Sequence, residues 1–207
     1  MTPHRRLFLL SATSLLLAGC GDVLGPPPPS QIYVLRPSPP RAASGVKAGW
    51  ALAVARPDAS ELLDSERIAL ARSATRFDYY ANAVWPDRLP NLIQTALLAG
   101  FEASGRIDAV AREGDAVHAD YELLTDLRDF EARYASLDAA PTVDVTLIAH
   151  MAGAHSRKIV ASLSASFAEP AAANNVDAVV EAFDTALAKA VAQIVDWALL
   201  LPPPSPA

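Results

Sequence analysis

Apolar and polar side chains alternate along most of the chain between residues 50 and 167. Such alternation predicts half-buried β-strands, because successive side chains of a strand point to opposite faces of a sheet. The last four predicted strands are joined by short connections, which is typical of an antiparallel meander with one buried and one wet face. The predicted strands cover residues 50–55, 68–71, 77–85, 106–112, 117–134, 142–151 and 159–167.

Two segments repeat their apolar residues at helical spacing instead. The first is predicted to begin after Asp87, interpreted as its N-cap, and to end before Gly105. The second begins at Asn174 or Asn175 and continues to Ala198, which gives a helix of about 37 Å at ~1.5 Å per residue. Each helix has one continuous apolar stripe, so we expect both to pack on the sheet.

These elements predict a single α+β domain over residues 49–200. Its expected architecture is a two-layer sandwich, in which a mainly antiparallel sheet carries two helices packed on one face. Proline-rich segments flank the domain on both sides. Residues 20–48 are predicted to form an extended tether with one short strand, and residues 201–207 an extended tail.

The N-terminus has the pattern of a bacterial lipoprotein export signal. Two arginines precede an apolar stretch from Leu7 to Leu17, which is too short to span a bilayer and is typical of a signal peptide. The sequence Leu-Ala-Gly-Cys that ends at Cys20 then resembles a lipobox, in which the cysteine is lipidated and becomes the first mature residue. We therefore predict a signal peptide at residues 1–19 and a covalent lipid on Cys20; the arginine pair leaves the Sec and Tat export routes both open.

Composition narrows the function classes further. The 207 residues include 17 Lys+Arg and 23 Asp+Glu, a net charge of −6, and one cysteine. The acidic balance argues against nucleic acid as a partner, and one cysteine cannot form an internal disulfide. No phosphate-binding, dinucleotide-binding or serine-hydrolase motif is present in the sequence. We expect a non-enzymatic protein with no catalytic residues and no cofactor besides the lipid on Cys20.

Histidines and acidic residues are the remaining candidates for chemistry. His118 and His150 fall on the predicted wet face and His155 in a turn, so a metal site would need the strands to bring all three together. A glycosidase carboxylate pair is the other enzymatic hypothesis, although a solvated sheet face is the ordinary reason for such residues. The acidic residues concerned are Asp120, Glu122, Asp126 and Asp129. We predict no metal site here.

Aromatic residues give the candidates for partner binding. Tyr79 and Trp85 fall on the predicted core face of their strand, whereas Tyr80 points to the other face. We therefore select Tyr80 as a candidate contact residue. Tyr33, in the short apolar run of the tether, is the second candidate.

The order of these features resembles the ABC-type transport auxiliary lipoproteins. A lipobox and the Tyr-Val-Leu sequence at Tyr33 come first, followed by a strand that ends in Pro57. Leu62-Leu63-Asp64 and Arg67-Ile68 come next. Tyr79-Tyr80 and Trp85 then lead directly into a leucine-rich helix, which is followed by the meander and a last helix with Trp197. The resemblance covers about residues 31–200, and the block from Tyr79 to Leu98 carries most of it.

The resemblance implies a lipoprotein partner of MCE-domain (mammalian cell entry) lipid transport systems, including the paraquat-inducible type. The implied partners are an MCE-domain protein and an ABC transporter ATPase and permease, with phospholipid binding and a homo-oligomer as further expectations. Gly21 follows Cys20, so by analogy we expect the protein to face the periplasm from the outer rather than the inner membrane. The alternatives are an adaptor of lipopolysaccharide assembly, an activator of cell-wall synthases, a tethered enzyme or metal binder, and a direct lipid carrier.

Overall fold

The computed structural model describes residues 29–38, 47–115, 118–136 and 138–203. Within these ranges the chain forms two helices and nine strands. In chain order they are β1 (Gln31–Ile32), β2 (Ala51–Val54), β3 (Asp58–Ala59), β4 (Arg67–Ser73), β5 (Arg76–Val84), α1 (Leu89–Ser104), β6 (Ala109–Arg112), β7 (Tyr121–Arg133), β8 (Thr142–Gly153), β9 (Ile159–Pro170) and α2 (Val176–Ala198).

The strands form one mixed sheet around β7. On one side of β7 lie β8 and then β9, and both pairings are antiparallel along almost their whole length. The register of β7 against β8 shifts between Leu127 and Asp129, which confirms the bulge that the change of phase predicted. The alternating burial along β7 and β8 therefore reflects one buried and one wet face, as expected.

The other side of β7 is occupied by short parallel strands. The segments β2, β3 and β4 pair one after another along β7, all parallel to it. The prediction that residues 106–112 begin the meander is wrong, because β6 pairs in parallel with β2, and β2 lies between β6 and β7. Alternating side chains identify a strand and its buried face, but they do not indicate which strand it pairs with in the sheet. The α+β class with helices packed on a large sheet is nevertheless confirmed.

Both helices have the predicted extent, but their N-termini differ. Asn175 caps α2, since its side chain accepts a hydrogen bond from the Ala178 amide at 2.9 Å. At α1 the N-cap is Arg88, without a side-chain cap, and Asp87 instead accepts hydrogen bonds from the Arg88 amide and the Asn91 side chain. Gly105 ends α1 in the left-handed conformation at φ 61°, as the sequence predicted.

An aromatic cluster joins the sheet to α2. The Phe183 ring of α2 stacks on Phe130 of β7, with ring centroids 4.4 Å apart and planes within 7°. Trp85 contacts both rings edge-on, and all three side chains are at most 1% exposed. Edge-on and stacked pairs of this kind add about 0.5–1.5 kcal/mol each to the burial energy. The prediction that Trp85 lies in the core is confirmed.

Candidate partner-binding surfaces

The short strand of the tether is bound to the domain. The Tyr33 amide donates to the Val84 carbonyl at 2.8 Å, which continues the parallel pairing of β1 with β5. Further along, the Arg36 amide donates to a carboxylate oxygen of Asp184 on α2 at 2.7 Å. Burial raises the pKa of Asp184, and this hydrogen bond acts in the opposite direction. The chain is thus held to β5 at one point and to α2 at another.

Tyr33 faces the domain, and its neighbours face outward. The Tyr33 hydroxyl donates to Gln31 at 2.8 Å, and its pKa is raised by burial and by the nearby Asp177 carboxylate. Ile32 and Val34 are 67% and 46% exposed. A strand edge with two exposed aliphatic side chains is suited to protein contact. The candidate contact surface around Tyr33 therefore consists of the Ile32 and Val34 side chains, and not of the tyrosine ring itself.

Tyr80 lies at a large irregularity in β5. Ala69 of β4 is opposite Tyr79, but Arg67 is opposite Val84, so the intervening residues of β5 bulge out of the ladder. Asn82, within the bulge, has a positive φ of 56°. Extra residues change which face each side chain occupies, and simple alternation therefore fails across this strand.

The bulge places the Tyr80 hydroxyl in an internal network. It lies 2.8 Å from the Tyr134 hydroxyl, which in turn donates to the Asn174 side chain at 3.0 Å. Burial, together with Tyr134, raises the pKa of Tyr80. The network connects β5 to the segment before α2. The Tyr80 side chain is partly buried against the core, and its hydroxyl is already hydrogen-bonded within the domain.

Tyr79 forms an outer aromatic site that the sequence prediction missed. Its ring is only partly buried, against the prediction of a core position, and the Arg67 guanidinium lies 3.6 Å from the ring centroid. The Tyr79 hydroxyl donates to the Leu62 carbonyl at 3.1 Å, and Leu62 itself is 50% exposed. A cation beside an aromatic ring and an exposed leucine forms an amphipathic patch. Its sequence signal was the Leu62-Leu63-Asp64 motif.

Asp64 organises the polar border of this patch. Its carboxylate pairs with Arg56 at 2.7 Å and with Arg88 at 3.1 Å. Burial tends to raise the pKa of Asp64, but the hydrogen bonds from the two arginines outweigh it and lower the pKa. The two arginines link the segment after β2 to the start of α1. The two ion pairs therefore fix the positions of Asp64, Arg56 and Arg88 relative to one another.

Two of the three described histidines line the same cavity, and the third does not. His118 and His155 line a polar cavity of about 390 Å³ at one end of the sheet, together with Glu113 and Glu122. Burial, reinforced by the neighbouring Glu113 carboxylate, raises the pKa of Glu122. His150 lies elsewhere, with its Nδ1 2.7 Å from the Ser162 hydroxyl. In the described part of the chain no three potential metal ligands converge.

The acidic run has structural partners. Asp120 accepts a hydrogen bond from the Ala51 amide at 2.8 Å, which fixes the start of β2 beside β7. Asp126 pairs with Arg128 at 2.8 Å. Glu122 lies in the polar cavity, and Asp129 follows the β7 bulge. The four carboxylates therefore have separate surroundings along the strand.

An apolar groove lies between the tether and the helices. It has a volume of about 430 Å³ and is lined by Leu35, Leu92, Ala96 and Val191, with Arg36 and Glu102 also lining it. None of the described helices is long and apolar enough to cross a bilayer. Cys20, the predicted lipidation site, lies outside the described residues.

The fold and these surfaces define an α+β domain with a docked N-terminal segment and several contact patches. A family model described as the ABC-type transport auxiliary lipoprotein component matches residues 33–195, and the chain therefore belongs to that family. The family description identifies a lipoprotein auxiliary to ABC-type transport.

Similar proteins share the fold or part of the sequence of this chain. A crystal structure from the DUF330 family, from Xanthomonas campestris, is 29% identical and has a TM-score of 0.77, covering 83% of this chain and 95% of that one. A second crystal structure, of an uncharacterized protein, has a TM-score of 0.65 at 14% identity and shows the fold alone. An uncharacterized protein of Bradyrhizobium diazoefficiens is 29% identical over 187 residues. The match covers 89% of this chain but half of that relative's length.

Proposed function

We propose that this chain is a non-catalytic, membrane-anchored adaptor of an MCE-associated ABC-type system that moves lipid between membranes. The observation that carries the proposal is the family match over residues 33–195. In this role the lipoprotein docks an MCE-domain protein, whose hydrophobic conduit is served by the inner-membrane ATPase and permease. The predicted lipid on Cys20 gives the attachment to the membrane, with the outer membrane favoured by Gly21.

The docked tether sets how far the domain extends from the bilayer. About 11 residues separate Cys20 from β1, and an extended chain of that length spans at most ~40 Å. If the segment were free up to Trp50, about 30 residues would span at most ~105 Å. The hydrogen bonds at Tyr33 and Arg36 support the shorter value. The proposed adaptor therefore holds its partner close to the membrane.

We assign partner contact to the β1 edge around Tyr33, with Tyr80 as the second candidate. The exposed Ile32 and Val34 support the first assignment, since they supply apolar surface beside the anchored segment. The case for Tyr80 as a contact residue is weaker, because its hydroxyl already bonds to Tyr134 inside the domain. In the proposed assembly the contact surface lies at the membrane-proximal end of the chain.

The apolar groove supports direct lipid contact as a second candidate function. Its aliphatic lining suits an acyl chain, and Arg36 at the same groove offers a cation to a phosphate headgroup. Mass spectrometry of the purified full chain should detect co-bound phospholipid. An Ala96→Phe variant should lose that phospholipid while folding normally, and a lipid-free wild type would remove this candidate.

The anchor is tested by fractionation. A full-length Cys20→Ala variant should leave the membrane fraction, whereas the wild type should stay there in high salt and be released by detergent. A Ser30→Ala variant, at an exposed position of the same tether, serves as the matched control. Retention of Cys20→Ala on membranes in high salt would contradict the lipid anchor.

The partner is tested by co-purification from detergent-solubilised membranes. An MCE-domain protein together with an ATPase and a permease should accompany the tagged chain. Recovery of lipopolysaccharide-assembly proteins or of a cell-wall synthase would favour the alternative adaptor roles. An Ile32→Asp variant should weaken the proposed partner's recovery, and Leu200→Asp, an exposed leucine after α2, is its control.

A further inference from the structure

The longest open edge of the sheet is β9. This 12-residue strand pairs with β8 and, among the described residues, with no other strand. The other described strands with an open side are shorter: β1, β3 and β6 have 2, 2 and 4 residues, and the 9-residue β5 is covered by β1 only at its end. Natural proteins usually protect a long edge with charged residues, proline, a bulge or a covering segment, because its unpaired backbone groups invite another strand.

The protection of β9 is confined to its two ends. The register against β8 shifts at the start of the strand, and Pro170 lies at its end. From Ala161 to Ala168 the pairing with β8 is regular, and the sequence contains no charged residue and no proline. Leu163 and Phe167 are only partly buried although they pack against the core. A further strand would cover both side chains.

The free backbone groups of β9 belong to its even-numbered residues. The Ala171 amide donates to the Pro141 carbonyl of the β8 side at 2.9 Å, so the odd-numbered residues hydrogen-bond toward β8. Ser162, Ser164 and Ser166 therefore direct their amides and carbonyls to the open side. Their side chains are exposed on the wet face, where Ser162 and Ser166 contact His150 and Thr146 of β8.

The two ends of this edge carry opposite charge. Arg157 and Lys158, both exposed, precede the strand. At the other end, Ala168 is paired with Asp144 of β8, and Asp144 is paired with Glu131 of β7. Both carboxylates form ion pairs with Arg133. An antiparallel partner with the same charge distribution would place the cationic end of each strand beside the acidic end of the other. A parallel copy would bring like charges together.

We propose that β9 is a self-association edge, on which a second copy of this chain pairs antiparallel across a two-fold axis. The register that matches free groups with free groups puts Ser164 opposite Ser164 of the second copy and Ser162 opposite Ser166. It forms about six new backbone hydrogen bonds and continues the sheet through both domains. A two-fold arrangement is closed, so it uses the β9 edge of both copies and leaves no β9 edge free for fibre growth. This inference does not depend on the proposed transport role.

Cysteine substitution tests the register. Residues opposite each other in a hydrogen-bonded antiparallel pair have Cα atoms ~5.5 Å apart, within the range of a disulfide. Ser164→Cys in the full chain, exported to an oxidising compartment, should give a reducible dimer. Ser166→Cys is the matched control on the same face, because the two cysteines would lie ~13 Å apart and should stay uncrosslinked. A scan of Ser162, Ser164 and Ser166 without any dimer would overturn the proposal.

A proline variant tests the edge independently of cysteine chemistry. Ser164→Pro removes an amide directed away from β8, so the β8 ladder is kept while the new pairing is blocked. In detergent, light scattering coupled to size exclusion should give a dimeric protein mass for the wild type and at least a tenfold smaller dimer fraction for Ser164→Pro. Far-UV circular dichroism should be unchanged, and Ser164→Lys, which places like charges on the axis, should act in the same way. A monomeric wild type, or variants that remain folded dimers, would refute self-association through β9.

Discussion

Replacing Asp184 by alanine should release the tether from α2. The Asp184 carboxylate accepts the Arg36 amide at 2.7 Å, and it is the hydrogen-bonded contact described between the tether and that helix. A hydrogen bond to a charged group contributes about 1.5–3 kcal/mol, and the exposure of Arg36 favours the lower end of that range. A loss of about 1.4 kcal/mol would raise the opening equilibrium of the segment about tenfold. The reach of the anchored domain would then increase toward the ~105 Å of a free tether.

Hydrogen exchange at the Tyr33 amide is the suitable readout. This amide bonds to the Val84 carbonyl at 2.8 Å and is not altered by the substitution, so its exchange reports opening of the segment. We expect about tenfold faster exchange in Asp184→Ala, with the β7 amides unchanged. Glu181→Ala, an exposed carboxylate on the same helix, is the matched control. Unchanged protection of the Tyr33 amide in Asp184→Ala would show that the Arg36–Asp184 hydrogen bond does not hold the segment on α2. The short reach of about 40 Å would then lose its support.

Three further predictions concern stability. Phe183→Ala removes a ring that stacks on Phe130 and should lower the free energy of unfolding by about 3–5 kcal/mol in denaturant titrations, whereas a loss under 1 kcal/mol would mean that the cluster does not hold α2. Burial raises the pKa of Glu131 above its ordinary 4.5, so the folded state binds a proton more readily and stability should fall as pH rises through that window. Glu131→Gln should flatten this pH dependence, and an unchanged profile would argue against it. Tyr80→Phe removes the hydroxyl bonded to Tyr134 and should cost about 1 kcal/mol by thermal melts; unchanged stability would show that the network is not needed.

The predictable part of the fold lies where one physical signal dominates. Strands β7, β8 and β9 alternate outside their bulges because one face is buried and the other is wet, and their antiparallel pairing follows from short connections. The α2 boundaries follow from a long apolar stripe and from Asn175, whose side chain caps the helix. The β7 bulge was visible as a change of phase, since an inserted residue moves the apolar positions from odd to even.

The unpredicted part depends on long-range pairing. Nothing in the local pattern of β2 indicates that it separates β6 from β7, because strand neighbours are chosen by the whole sheet. The β5 bulge was hidden, since the small residues around Asn82 give no clear phase. Tyr79 consequently stays at the surface beside Arg67, and Tyr80 joins an internal network.

The candidate site was predicted in outline only. Tyr33 was selected from its apolar surroundings, but its link to α2 passes through Arg36 and Asp184, which are far apart in sequence. The histidine hypothesis required the strands to bring all three histidines together, but only His118 and His155 line one cavity, while His150 bonds to Ser162. Family membership could be predicted because it depends on the order of short motifs along the chain, which can be read from the sequence. The individual contacts of the folded domain cannot be read in this way.

Photo-crosslinking in living cells tests the proposed MCE-domain partner directly. A photo-reactive residue replaces Ile32 in the full-length lipoprotein, with the same residue at Leu200 as the control, since Leu200 lies after the far end of α2. Crosslinked partners are purified in detergent and identified by mass spectrometry. We expect an MCE-domain protein to be joined at Ile32 and not at Leu200. Crosslinks confined to a lipopolysaccharide-assembly protein or a cell-wall synthase would contradict it.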